Sequence, residues 1–185
     1  MRKAARKRIL AAVIPAVLAA GLLSCSGINN EVAPVVLIAS MQQDVSLIDI
    51  LNPPAKVGTI NLQAIVKKID ADTRFLDVQL RRYQVSFRRT DGGTQIPSSF
   101  VRTVSGIIPV GGTPTALNDF LLLPADALRE APFAALLPQN GGHDPVTGKT
   151  TVSLDVAVEV FGETISGEQV SARTTAPFTF CAGCV

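Results

Sequence analysis

Val152, Leu154, Val156, Val158 and Val160 alternate with Ser153, Asp155, Ala157 and Glu159. A period of two sustained this long fits a strand with one dry and one wet face, because a helix would scatter the same residues around its circumference. Gly162 to Gly167 then supply a turn, and Val170 to Phe180 bring the chain back. The last third therefore reads as a hairpin of two long strands, whose dry face must be covered by another layer.

The rest of the chain carries the same signal in shorter pieces. Val35 to Met41 is a continuous apolar run of strand length, and Asn52-Pro53-Pro54 breaks the chain after it. Ile60, Leu62, Ala64 and Val66 alternate with Asn61, Gln63 and Lys67. Phe75 to Thr90 is more informative. Its apolar residues occupy even positions first (Leu76, Val78, Leu80) and odd positions afterwards (Tyr83, Val85, Phe87). An unbroken strand cannot bury both sets on one face, so a β-bulge or sheet-switching kink is expected at Arg81-Arg82. Asp91-Gly92-Gly93 suits a tight turn. Phe100, Val104, Ile107 and Ile108 form a less regular strand ending at Pro109, Gly111-Gly112 turns, and Leu117 to Leu123 is a further strand. Pro124 to Pro138 is the one helical stretch; Pro132 limits it to one or two turns, with Leu128, Ala131 and Leu136 facing inward. Gln139-Asn140-Gly141-Gly142 opens an exposed loop that runs to Gly148.

Seven or eight strands with turns at fairly even spacing predict an all-β fold. The expectation is an immunoglobulin-like two-sheet Greek-key sandwich with one short helical segment. The chain has no tryptophan and no cysteine pair spaced across the sheets, so the term describes architecture and not ancestry. Tyr83-Gln84-Val85-Ser86-Phe87-Arg88-Arg89-Thr90-Asp91-Gly92-Gly93, with Pro97 after it, resembles a segment of uncharacterised bacterial envelope proteins. That resemblance implies no activity.

The N-terminus is of another kind. Arg2, Lys3, Arg6, Lys7 and Arg8 precede an apolar run from Ile9 to Leu23 that holds no charge, and Leu22-Leu23-Ser24-Cys25 closes it. Charge, apolar core and small residue are the parts of a secretory signal. The four closing residues resemble the lipobox of bacterial lipoproteins. The resemblance implies diacylation of Cys25, which would become the first residue of the mature protein. The expected division is residues 1–24 as signal peptide, 25–33 as a lipidated tether and 34–185 as a single β-sandwich domain. By the same resemblance, Ser26 in the second mature position implies the outer membrane of a two-membrane bacterium.

Without the leader, the 17 basic residues fall to 12 against 15 acidic ones, a net −3. No basic patch argues for nucleic acid. With 47% hydrophobic and 17% charged residues overall, the chain has the composition of a globular protein and not of a disordered stalk.

Cys181 and Cys184 form an even pair, expected as a local disulfide tying off the last strand in an oxidising compartment. Thiol-redox work by this pair is the less favoured alternative, since a Cys-x-x-Cys redox site calls for a helix N-terminus. A zinc site would need two further ligands, and the single histidine, His143, supplies at most one. Asp70-Ala71-Asp72 with Asp77 offers carboxylates for calcium, but lacks the glycine and bidentate glutamate of a known calcium loop. Arg81, Arg82, Arg88 and Arg89 read as a solvated basic edge that resists aggregation, or that meets an acidic partner or anionic headgroups. No Gly-x-Ser-x-Gly or His-Glu-x-x-His motif is present. The function expected is a non-catalytic envelope lipoprotein without metal or cofactor. It would meet the bilayer through its acyl anchor and other envelope proteins through sheet edges or the loops Gly92 to Ser99 and Gln139 to Lys149. A glycan- or calcium-binding module is the alternative.

Overall fold

The computed structural model describes residues 33–42, 47–51, 56–67 and 72–184. The expected signal peptide, Cys25, the expected tether up to Val32, the Asn52-Pro53-Pro54 break and Asp70 lie outside the described residues. Eight strands are found among those described: β1 (Val35–Gln42), β2 (Leu47–Asp49), β3 (Lys56–Val66), β4 (Val78–Arg89), β5 (Phe100–Ile108), β6 (Thr115–Leu123), β7 (Thr151–Thr164) and β8 (Gln169–Cys181). They form two sheets, one ordered β1-β3-β6 and the other β2-β8-β7-β4-β5. All pairings are antiparallel except β2 on β8. The fold is thus mostly β, in two sheets, as the alternation requires.

One apolar core spans both sheets. Ile60, Leu62 and Ala64 of β3 and Val35 and Leu37 of β1 join the even-numbered residues of β7, Val152 to Val160, all of them buried. Tyr83 crosses the core from β4: its ring packs 4.5 Å from that of Phe120 on β6, and its hydroxyl accepts the Leu121 N–H at 3.2 Å. β1 also lies close to β8 of the other sheet, so the two sheets are drawn together along one side.

The parity change at Arg81-Arg82 is a break in register. Between Leu80 and Tyr83, both buried, β4 advances three residues while β7 advances two (Gly162 to Val160) and β5 four (Gly106 to Arg102). β7 keeps its own alternation, β4 carries one residue more than β7 and leaves Arg81 and Arg82 exposed, and β5 in turn carries one residue more than β4. Gly162 permits the close approach there. A Cβ on it would lie 2.6 Å from Val78 Cγ1 and 3.0 Å from the Gln79 carbonyl.

Three expectations need correction. β2 was not anticipated. The Asp91-Gly92-Gly93 turn has its glycine at φ +93°, but it only opens a longer loop, since β4 ends at Arg89 and β5 begins at Phe100. The helical stretch is a series of 3-10 turns, Ala125–Arg129, Phe133–Leu136 and Pro138–Asn140. Leu128 and Leu136 are buried as expected, but Ala131 is exposed and Phe133 takes the inward place, its ring 4.5 Å from that of Phe180. A 3-10 turn stacks residues three apart, which pairs Phe133 with Leu136.

Candidate functional site

The two loops expected to make contacts, 92–99 and 139–149, are brought together at one end of the larger sheet by a buried ionic clasp. Its centre is Arg89. This residue continues the inward parity of Tyr83, Val85 and Phe87 and stands opposite the buried Leu154 on β7. An inward arginine at a strand end must find counter-charges or unfold the end. Nε and Nη2 donate to the two carboxylate oxygens of Asp91 at 2.7 and 2.9 Å, Nη2 also donates to Asp144 Oδ2 at 3.2 Å, and Nη1 donates to the Gln95 carbonyl at 3.2 Å. The side chains of Arg89, Asp91 and Asp144 are 3%, 4% and 0% exposed.

Backbone donors complete the clasp. Asp91 also accepts the N–H groups of Gly93 (3.1 Å) and Ser153 (2.9 Å), which ties its loop to β7. Asp144 Oδ2 accepts the Thr147 N–H and hydroxyl at 2.9 and 2.7 Å, while its Oδ1 has no hydrogen-bond partner among the described residues. Lys149 closes the second loop: its carbonyl accepts the Asp144 N–H at 2.8 Å, and its ammonium donates to the Asp91 carbonyl at 3.3 Å. Burial by itself would push the Asp91 carboxyl up. The Arg89 guanidinium and the two backbone N–H groups outweigh it and hold the group at about 2. Asp144 is likewise lowered against its burial, through Thr147 and Arg89. The apolar tips Ile96 and Val146 remain half exposed on the two loops.

The clasp corrects the reading of a solvated basic edge for Arg89 and for the edge itself, while Arg81, Arg82 and Arg88 are exposed as expected. β4 is not an edge, since it lies between β7 and β5. Arg89 is buried, Arg88 pairs with Asp155 at 2.6 Å, Arg81 with Glu163 at 3.5 Å, and the Arg82 guanidinium sits 4.9 Å over the Phe161 ring. Arg81, Arg82 and Arg88 each have a partner on β7, and Arg89 has its partners in the two loops.

Cys181 and Cys184 have their Cα atoms 5.9 Å apart, with the sulfurs at bonding distance, at the same end as the clasp. Beside them Asp49 accepts the N–H groups of Leu51 and Gly183 at 3.0 and 2.9 Å, which lowers its carboxyl and fastens β2 to the chain end. Asp72 pairs with Arg74, and Asp77 accepts the Val110 N–H; the two aspartates serve separate turns. Among the described residues no group of three His, Cys, Asp or Glu side chains could hold a metal ion, and no helix is long and apolar enough to cross a membrane.

The outer face of the larger sheet carries a depression of about 270 Å³, centred on the row Ser86, Ala157 and Thr175. It exists because three small residues stand side by side between longer neighbours, Arg88 with Asp155 on one flank and Arg173 on the other.

No family model and no curated protein matches the chain. Among solved structures, the crystal structure of Spo0M, sporulation control protein, from Bacillus subtilis is similar at 16% identity with a TM-score of 0.28. The match covers 80% of this chain and 50% of that one, so the chain spans about half the length of that protein. At that score the likeness carries no argument about fold or role.

Proposed function

We propose that this chain is a cell-envelope lipoprotein of the outer membrane, anchored through acylated Cys25, whose folded part is a non-catalytic interaction module. The observation that carries the reading is the order of the N-terminus: basic leader, uncharged apolar run, then Leu22-Leu23-Ser24-Cys25. The placement of the fold supports it. β1 begins at Val35, so eight residues separate Cys25 from Pro34, enough for a short tether and no more. Val35 pairs with Val66 at one end of the strands, whereas the clasped loops lie beyond Arg89 at the other. A tethered copy would therefore hold loops 92–99 and 139–149 away from the attachment point, open to other envelope proteins. The rigid clasp suits a contact surface, since ordering such loops would otherwise be charged against binding.

The finer reading of the fold belongs here as well. We infer an immunoglobulin-like Greek-key topology, supported by the strand orders β1-β3-β6 and β2-β8-β7-β4-β5, with sheet changes between β1 and β2, β2 and β3, β3 and β4, β5 and β6, and β6 and β7. Cys181 and Cys184 are read as a structural disulfide, supported by their separation. Thiol trapping under graded reductant tests this: a structural bridge resists reduction, and a redox pair does not.

The test of the main reading compares wild type with Cys25→Ala by intact mass and membrane fractionation. Wild type should carry the mass of acyl chains on a chain beginning at Cys25 and sediment with membranes, and the variant should lose both. An unmodified wild-type chain beginning elsewhere refutes the proposal. A second reading, a ligand-binding module, draws on the depression over Ala157, and glycan binding lost in Ala157→Leu would favour it.

A further inference from the structure

The four sheet edges of the described fold are treated differently. β1 lies along β8, and β2 is only three residues long. β6 is spoiled as a template: Asp119 adopts φ +61°, the register against β3 is irregular, and the Leu121 N–H is taken by the Tyr83 hydroxyl. These are among the ways natural sheets blunt an edge. β5 has only one of them, a register shift against β4, where it takes three residues (Gly106 to Thr103) for two of β4 (Leu80 to Arg82). It nevertheless runs nine residues without proline, keeps its odd-numbered residues outward, and carries one charge, Arg102. On its outward face stand Val101, Thr103, Ser105 and Ile107, with Val101 57% and Ile107 60% exposed.

The sequence of this strand, Phe100-Val101-Arg102-Thr103-Val104-Ser105-Gly106-Ile107-Ile108, suits pairing with itself. Its midpoint is Val104. Full antiparallel overlap about that point sets Val101 opposite Ile107 of the partner subunit, and Thr103 opposite Ser105 of the partner subunit. Arg102 then faces Gly106 of the partner subunit, so the single charge never meets its own copy. Such a register joins the two exposed apolar residues twice, once on each side of the axis. Directly opposed apolar pairs favour a strand pairing and like charges oppose it.

We propose that two copies of this chain associate through β5, antiparallel about a two-fold axis at Val104, making one continuous ten-stranded sheet from the two five-stranded ones. The interface is isologous, with the same strand used by both copies, and its affinity comes from main-chain hydrogen bonds along the shared edge. The axis is normal to the joined sheet. Both three-stranded sheets, and with them β1 of each copy, stay on the same side of it. The inference does not depend on the lipid anchor.

The test measures the mass of the full-length chain by light scattering in mild detergent from about 1 to about 200 µM, a range that spans weak to moderate dissociation constants. Wild type should be dimeric in the upper part of the range. Val101→Lys with Ile107→Lys opposes like charges twice and should weaken association at least about tenfold. Val101→Lys with Ile107→Glu sets opposite charges face to face in this register alone and should restore it. Thermal melting within a few degrees of wild type establishes that both variants are folded. A wild type that stays monomeric throughout overturns the proposal and leaves β5 to a strand of a different protein. A dimer that survives the double lysine variant also overturns it, and failure of the lysine–glutamate variant to restore the dimer overturns the register.

Discussion

Replacing Arg89 with methionine should cost about 3–5 kcal/mol of stability, because it leaves two buried carboxylates without their counter-charge. The estimate rests on burial: Asp91 and Asp144 are 4% and 0% exposed, so water cannot take over from the lost guanidinium. Methionine preserves most of the volume, which keeps the packing loss small. For a domain of this size the melting temperature should fall by roughly 10 °C. Urea denaturation at pH 7 measures the effect as a shift in midpoint at unchanged slope. The pH dependence separates electrostatics from packing. In wild type the Asp91 pKa is about 2, below the ordinary 3.8. Its ionisation thus contributes about 2 kcal/mol that is fully present above pH 4–5 and lost as pH falls through 4 towards 2. In the variant the lowering by Arg89 is gone while burial still raises the pKa, so protonation relieves the orphaned charge at a higher pH. The gap between the two proteins should therefore be widest at pH 7 and narrow by pH 3. A loss below 1 kcal/mol at pH 7, or a gap that does not change with pH, refutes a buried clasp. Arg89→Met combined with Asp144→Asn should show a coupling energy above about 0.5 kcal/mol, as groups of one network do.

Gly162→Ala should destabilise by about 1–3 kcal/mol, since the new methyl group lies 2.6 Å from Val78 Cγ1, and thermal melting would show it. Tyr83→Phe keeps the ring contact with Phe120 but strands the Leu121 N–H; about 1 kcal/mol should be lost in chemical denaturation, and faster amide exchange at Leu121 would identify the site. If Cys181 and Cys184 are bridged, their loop is short and its closure restricts the unfolded chain little. Reduction should then cost about 2 kcal/mol at most, read as a change of a few degrees in melting temperature with and without reductant.

Much of the fold is visible in the sequence because one face of nearly every strand is buried, and burial writes a period of two. The switch between Leu80 and Tyr83 is legible for the same reason: only a register break reconciles the two parities. The features that escape are those with too few residues to show a period or with a distant partner. Leu47-Ile48-Asp49 is three residues long and becomes a strand because β8 offers it an edge at Thr179 to Cys181. Asp144 sits in a loop with no local sign of burial, and its partner Arg89 lies 55 residues earlier. Arg89 itself left a trace, since it falls on the inward parity of its strand. Placing it among Arg81, Arg82 and Arg88 as a surface stripe weighed charge above position. Pro132 correctly marked the stretch as broken, but a helical period could not foresee that Phe133 and not Ala131 would turn inward.

The neighbourhood of β1, β2 and β8 bears on how such a chain is made. A protein exported from its N-terminus delivers β1 and β2 first and β8 last, yet β8 is the strand that β1 lies along and that β2 pairs with. The opening segments must wait for nearly the whole chain before their final neighbour exists. Contacts so far apart in sequence slow folding and lengthen the time that unpaired strands stand open. If the chain is exported as proposed, translocation and folding are not concurrent: its seam closes only when residues 169–181 have emerged, and a chain truncated before them should present its first strands to whatever holds unfolded proteins on the far side.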